Sequence, residues 1–557
     1  MNIIRKLFLP VALLLFATGI FAQENNNFEI SKNIEIFSNV LRQLNLNYAD
    51  DINPGELTQT AIDEMLNSLD PYTVYVPESR LEDFELMTKG EYGGIGSLIQ
   101  KQGDYVVITE PYEGFPAQKS GLKAGDKIIA IDGESAKGKS SSDVSKKLKG
   151  VPGTKLLLTI QHYGDTTTQT IEVTREKIKI PNIPYHGVVD GDKGYIILSQ
   201  FNQHAAMDVK KAFLELKNKY HIKSLIFDLR GNGGGLLNEA VDIVNLFVPK
   251  GQLVVKTKGK LKSNSTVSYT RNDPVDLNIP VTVLVNGNTA SASEIVSGAL
   301  QDLDRAVIIG QRTFGKGLVQ NIVPLPYNSK IKITIAKYYI PSGRCIQAID
   351  YFNKDSNGDP NNIPDSLISA FKTKGGRTVY DGKGIKPDIV TKEEKYSQVT
   401  GDLYAKNYIF NFTNEFVLHH DTIAPPEKFQ ISDSLFNAFK NYVSKQGFDY
   451  NTQTEELLKE IKKSAKREKY LAAIEPYLDS LQQKIVSEKK NDIDKYRSEI
   501  ENMLKMEIIS RYYYQTGKIV ASLNDDPDIK EAEKVLNDKA WYSKILSANG
   551  TNDDKKQ

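Results

Sequence analysis

Val281-Thr282-Val283-Leu284-Val285-Asn286-Gly287-Asn288-Thr289-Ala290-Ser291-Ala292-Ser293-Glu294-Ile295 is the stretch from which the rest of the chain can be read. Its first five residues make a short run suited to a buried strand. The Asn-Gly-Asn step is a turn, and the Thr/Ala/Ser run behind it opens a helix. Ser291 then sits where backbone N–H groups and the helix dipole favour a developing negative charge. Two readings stay open here: a helix cap, the commoner use of serine and threonine at such a place, and a nucleophile.

Outward from that stretch the same alternation recurs. Gly194 to Leu198, Ser224 to Phe227 and Ala306 to Ile309 are further strand-like runs, and Asn238 to Phe247 and Ser293 to Leu303 read as helices. Residues 177–393 therefore predict an α/β layer. Behind the last of these strands comes Gly310-Gln311-Arg312-Thr313-Phe314-Gly315-Lys316-Gly317-Leu318-Val319-Gln320. A serine hydroxyl needs a base, and a lysine can serve when burial leaves it neutral. Lys316 lies between two glycines, which suits close backbone approach and equally suits a plain turn with an exposed lysine. Histidine is a poor fit as the base, since none of the six histidines falls in either segment and no Gly-x-Ser-x-Gly elbow is present. A third segment, Phe227-Asp228-Leu229-Arg230-Gly231-Asn232-Gly233-Gly234-Gly235, joins a strand to a helix. Its glycines can aim N–H groups at an oxyanion or simply make a tight turn. It lacks the order of a phosphate-binding loop, and no His-Glu-x-x-His motif suggests zinc, so neither a nucleotide, a cofactor nor a metal is expected.

The flanks have different textures. Residues 28–85 show helical spacing, broken at Asn53-Pro54-Gly55 and ended at Ser68-Leu69-Asp70-Pro71. Residues 86–176 read as short strands with a helix from Ser141 to Leu148, a compact module of their own. Asn353 to Asp365 reads as an exposed loop. From 394 to 557 helical periodicity takes over, with Ile493, Tyr496, Ile500, Met503, Leu504 and Ile508 on one face and a final helix carrying Ala532, Val535 and Leu536 behind Asp525 to Pro527.

A chain of 557 residues is too long for one core. Its 40% apolar and 25% charged residues are an ordinary globular balance, and a net charge of +1 gives no global field for nucleic acid or anionic membrane. The lone Cys345 allows no intrachain disulfide and reads as a packed thiol. Arg5 and Lys6, the apolar run Leu7 to Ile20 and the ending Phe21-Ala22-Gln23 predict a secretory signal over 1–22, hence an exported protein, periplasmic or held on the outer side of the cytoplasmic membrane.

Taken together, Asp-Leu-Arg-Gly-Asn-Gly-Gly-Gly, then Thr-Ala-Ser-Ala-Ser-Glu-Ile, then Thr-Phe-Gly-Lys-Gly-x-Val-Gln resemble the carboxyl-terminal processing proteases, which include the tail-specific proteases. Their serine and lysine stand 25 positions apart, as Ser291 and Lys316 do, which selects Ser291 over Ser293. The resemblance implies a Ser291–Lys316 dyad, with Gln320 orienting the lysine. It implies an oxyanion hole from the N–H of Ala292 and a glycine of the Gly233–Gly234 pair. Glu91-Tyr92-Gly93-Gly94-Ile95-Gly96-Ser97 resembles the carboxylate-binding loop of a PDZ domain, which implies that Gly94, Ile95, Gly96 and Ser97 hold a peptide terminus. The fold expected is a multidomain α/β one: an α/β serine-protease core with an inserted PDZ domain, an N-terminal helical element and a C-terminal helical region. The expected partners are polypeptides with accessible apolar C-termini, with self-association or adaptor binding assigned to the C-terminal helices. The rival expectation is a catalytically silent peptide-binding scaffold on the same fold.

Overall fold

The computed structural model describes residues 27–81, 84, 90–355, 358–393 and 395–548, so the expected signal over 1–22 lies outside the described residues. The chain divides into two compact units, one made of residues up to Glu78 together with Gln320–Thr334, the other of Ser79–Val319 with Ile335 onward.

The second unit is built on a six-stranded sheet. In chain order its elements are β1 (Tyr185–Val189), β2 (Lys193–Ile197), α1 (Ala205–Tyr220), β3 (Ser224–Asp228), α2 (Leu237–Asn245), β4 (Val281–Val285), α3 (Ala292–Asp302), β5 (Val307–Gly310) and β6 (Ile389–Val390). Spatial order follows chain order, with β1 antiparallel to β2 and the remaining pairs parallel. The central strands β3 and β4 are buried along their whole length and mostly apolar because both faces are covered. Leu225, Phe227, Val281, Val283 and Ile308 pack on one side with α1, α2 and α3. Ile226, Leu284, Val307 and Ile309 face the opposite way, as alternation along a strand requires.

The cover over that second face was not expected from the sequence. Arg497–Leu523 (α4) leads into Pro527–Asn537 (α5) and Lys539–Ile545 (α6), and Ile529, Ala532, Val535, Leu536 and Ile545 close over the sheet. The Tyr542 hydroxyl accepts a hydrogen bond from the Val281 N–H at 3.1 Å. Helices assigned by the sequence to a region beginning at 394 thus include one layer of the α/β core. Burying one such Ile, Val or Leu contributes about 1.5–3 kcal/mol. Upstream, Ile500 and Leu504 of α4 pack with Val399, Leu403, Phe436 and Phe439 in a helical cluster of their own.

Ahead of the sheet lies a five-strand antiparallel module, in the order Ser97–Gln102, Tyr105–Pro111, Lys127–Ile131, Lys155–Gln161 and Gln169–Thr174, with Glu134–Ser135 paired to the third strand. The helix Ser141–Leu148 starts at a reciprocal cap between Ser140 and Asp143. It buries Val144 and Leu148 against Val106, Ile128, Leu156 and Leu158. This module meets α4: the Tyr514 hydroxyl accepts from Gln118 at 2.6 Å and Gln515 donates to Glu110 at 2.7 Å. Tyr514 has φ +53°, and α4 breaks its helical geometry there.

The segment Asn353 to Asp365, expected as a loop, contributes instead to an exposed hairpin of Ile349–Lys354 and Pro360–Asn362. Asp355 helps to close it, its carboxylate accepting from the Asp359 N–H at 2.9 Å.

In the first unit, residues 27–47 are helical and Pro54–Asn67 forms a second helix, capped by the Asn53 side chain with Pro54 at its first position. Just past the end of that helix Asp70 organises the turn into the first strand of this unit, its carboxylate accepting from the Tyr72 and Thr73 N–H groups and from the Thr334 hydroxyl.

Candidate active site

The candidate centre begins with a buried carboxylate. Glu294 is 0% exposed in the first turn of α3 and accepts four hydrogen bonds. Its Oε2 takes the N–H of Ser291 and the N–H of Lys316, each at 2.9 Å. Its Oε1 takes the Thr313 hydroxyl at 2.5 Å and the Gly315 N–H at 2.8 Å. One side chain therefore fastens the backbone of Ser291 to that of Lys316, across the 25 positions that separate them in sequence. Burial pushes the Glu294 carboxyl up to about 7, against the four donors, which pull the other way. Sequence reasoning gave Glu294 no role, although Ser-x-x-Glu at a helix start is a capping signal that could have found it.

Ser291 itself has φ +56° and ψ −115°, a conformation that a residue with a side chain rarely holds. Its carbonyl accepts from the hydroxyl of the fully buried Tyr338 at 3.2 Å. Ser293 is used differently: it is 0% exposed, and its hydroxyl donates to the Asn232 carbonyl at 2.9 Å. The structure thus separates the two serines, one packed and bonded, the other half-buried at the strained turn.

Asn232 carries the glycine turn. Its Nδ2 donates to the Leu198 carbonyl at 2.7 Å, its Oδ1 accepts the Gly234 N–H at 2.9 Å, and its carbonyl accepts the Ala290 N–H at 3.0 Å. Gly234, at φ +97°, lies so close to the serine turn that a Cβ on it would meet Ser291 Cβ, Ala292 N and the Ala290 carbonyl at 2.8 Å each. Gly233 is exposed, and a Cβ there would meet nothing within 4 Å. Ala292 is buried, and its N–H is among the first-turn donors that an α-helix leaves without an intrahelical acceptor.

Arg230 opens the same turn. Its Nε and Nη2 bond both oxygens of Asp228, the latter at 2.6 Å, while Tyr195 donates to Asp228 at 2.7 Å. Its Nη1 reaches Asp526 and Asp528, at the start of α5, at 3.0 Å each. Burial works against the charge, and the carboxylates of Asp228 and Asp526 outweigh it, holding the guanidinium well above the usual arginine range.

Lys316 is half-buried, between Gly315 and Gly317, whose backbones are held by Glu294 and by the Gln347 side chain. Gln320 belongs to the first unit, where its Nε2 donates to the Thr334 hydroxyl at 3.1 Å. Burial pushes the Cys345 thiol up, away from the thiolate a nucleophile would need.

Just ahead of the five-strand module, Gly94 ends the strand Glu91–Gly94, which pairs with Glu176–Lys179, and Ile95 enters the module's core at 2% exposed. Gly96 takes φ +74°, and a Cβ on it would meet Phe115 Cβ at 2.7 Å, so both the backbone and the space favour glycine there. Ser97 opens the next strand, and its buried hydroxyl has no partner among the described residues.

Residues 192–357 match the family model described as peptidase family S41, 107–162 match a PDZ domain, and 399–536 match "Probable PDZ-protease, C-terminal helical domain". A carboxy-terminal-processing protease of Bartonella bacilliformis is 36% identical over 347 residues, covering 61% of this chain and 78% of the relative. Among solved structures, a photosystem II D1 C-terminal processing protease is 30% identical with a TM-score of 0.35, covering 63% of this chain and 86% of its own. The PDZ domain of a carboxy-terminal protease from Vibrio cholerae, solved in complex with peptide, is 31% identical with a TM-score of 0.16, over 16% of this chain and 99% of its own. A serine turn and a glycine turn locked together on an α/β sheet, beside a PDZ module, accord with the family-model matches and the Bartonella relative, and the chain belongs to the carboxy-terminal-processing proteases, serine-type peptidases of family S41.

Proposed function

We propose that this peptidase cleaves exported polypeptides with Ser291 as nucleophile and Lys316 as general base. The observation that carries this reading is the single carboxylate oxygen of Glu294 that accepts the N–H groups of both residues. A neutral Lys316 amine takes the Ser291 proton as the hydroxyl oxygen attacks the scissile carbonyl. The tetrahedral oxyanion is received by the Ala292 N–H and by the Gly233 N–H. Gly233 is preferred to Gly234 because the Gly234 N–H is already donated to Asn232. The lysine then gives the proton to the leaving amine, and water, activated by the same amine, hydrolyses the acyl-enzyme. Gln320 is assigned to orient the lysine on the resemblance alone.

The PDZ module selects substrates by their C-termini. The turn Gly94 to Ser97, with the left-handed Gly96 and the unpartnered Ser97 hydroxyl, supports capture of a terminal carboxylate, and an apolar last side chain suits the neighbouring core. Export rests on the N-terminal segment, and self-association or adaptor binding is assigned to the helices between 394 and 523.

Cleavage of an internally quenched peptide ending in a free apolar residue tests the dyad. Ser291→Ala and Lys316→Ala should each lower kcat by about 1,000-fold or more. Full activity in either purified variant rejects the assignment.

A further inference from the structure

The glycine turn that receives the oxyanion under this reading is intrinsically loose. Gly231, Gly234 and Gly235 take φ of +71°, +97° and +150°, and glycines lose more conformational freedom on ordering than any other residue. Most of its restraints come from its own surroundings in the core, among them Gly231 N–H to Asn286 Oδ1, the Asn232 side chain to Leu198, the Ala290 N–H and Ser293 hydroxyl to the Asn232 carbonyl, and Arg230 to Asp228. A further one comes from far along the chain. Asp526 and Asp528 reach back to Arg230 Nη1, completing a ring of three carboxylates around one guanidinium.

That ring is not the arrangement packing alone would select. Asp528 Oδ1 is buried with no partner among the described residues, and an unsatisfied buried carboxylate oxygen is a cost that an apolar contact would avoid. Asp526 already has a separate task, accepting the N–H groups of Asp528 and Ile529 as the cap of α5. α5 is meanwhile fixed to the sheet by Ile529, Ala532, Val535 and Leu536, so it does not need an ion pair to stay in place. The carboxylates do hold the far side of the guanidinium, and with it the first residue of the turn, whose third residue after Arg230 is Gly233.

We propose that Asp526 and Asp528 are positioning residues for catalysis, fixing the oxyanion turn through Arg230, so that the C-terminal helices complete the peptidase centre as well as its core. The inference rests on the reading that the Gly233 turn receives the oxyanion.

Steady-state cleavage of the same quenched peptide by the full-length chain tests it. Asp528→Asn keeps the α5 cap and should lower kcat about tenfold with KM within twofold, because the turn matters more to the transition state than to the bound peptide. Asp526→Asn/Asp528→Asn should lose more in kcat, and Asp528→Glu should recover at least a third of the parent kcat. Labelling of Ser291 by a fluorophosphonate, which also needs the oxyanion site, should slow in parallel. A purely structural tie would lower the unfolding midpoint and leave kcat and labelling rate within twofold; that result in Asp528→Asn overturns the inference. If the double variant fails to fold, Asp528→Asn alone decides. Loss of activity in Ser291→Ala beside an unchanged Asp528→Asn would sink this inference while sparing the dyad; an active Ser291→Ala would sink the dyad, and this inference with it.

Discussion

Glu294 combines a site that penalises its charge with four donors that reward it, and this balance makes it titrate near neutrality. Whichever way a glutamine in its place turned, its NH₂ would face at least one N–H group that the carboxylate accepts, so Glu294→Gln should cost about 3 kcal/mol in urea unfolding at pH 4.5 and about 100-fold in kcat. The pH dependence has a definite sign. The folded carboxyl sits near 7 against an ordinary 4.5, so the fold binds the proton more tightly than the unfolded chain does. The stability linked to that proton is present below pH 4.5 and is lost as pH rises to about 7. The advantage of the parent over Glu294→Gln should therefore shrink by about 3 kcal/mol between urea titrations at pH 4.5 and pH 8. The glycine pair offers a sharper contrast. Gly234→Ala must push a Cβ into three atoms at 2.8 Å and should abolish peptide cleavage, while Gly233→Ala meets open space, keeps its N–H, and should stay within tenfold of the parent kcat. At this scale the serine, lysine and glycines were singled out because each sits in a short motif that the family resemblance covers. Asn232 and Tyr338 were not, since an asparagine among glycines and a tyrosine in a strand carry no sign of the distant carbonyls they serve.

Unlike β1, α1 and β6, the strands β2 to β5 and the helices α2 and α3 were legible from apolar runs bounded by turns, to within a residue or two at their ends. The hairpin at Ile349–Lys354 was not, because its exposed strands bury too little apolar surface to leave a pattern. Nor were the long-range ties that fix α3. Asp302, near its C-terminal end, pairs with Arg344 at 2.8 Å where the two side chains are 0% and 1% exposed, and Arg344 also donates to Gln301. Charges so buried are costly singly and nearly neutral as a pair. Arg344→Ala should lower stability by about 3–5 kcal/mol in chemical denaturation, and Asp302→Leu/Arg344→Met should lose much less, since it leaves no orphaned charge.

For the whole molecule, the sequence separated a peptidase core from a helical tail, and packing does not respect that line. The stripe Ile529, Ala532, Val535 and Leu536 announces a buried face without naming its partner, and only the fold shows that the partner is the sheet. A chain ended after residue 393 should therefore expose Ile226, Leu284, Val307 and Ile309, lose cooperative thermal unfolding and aggregate. The same arrangement bears on synthesis. All six strands leave the ribosome well before the helices that roof them, and domains generally fold as units from the N-terminal side during translation. Until α5 and α6 emerge, a nascent copy has its serine but neither the second layer of its sheet nor the two aspartates around Arg230. With Asp526 and Asp528 in the positioning role proposed above, a peptidase wired in this order gains its cutting power last, and the chain being made is spared its own chemistry.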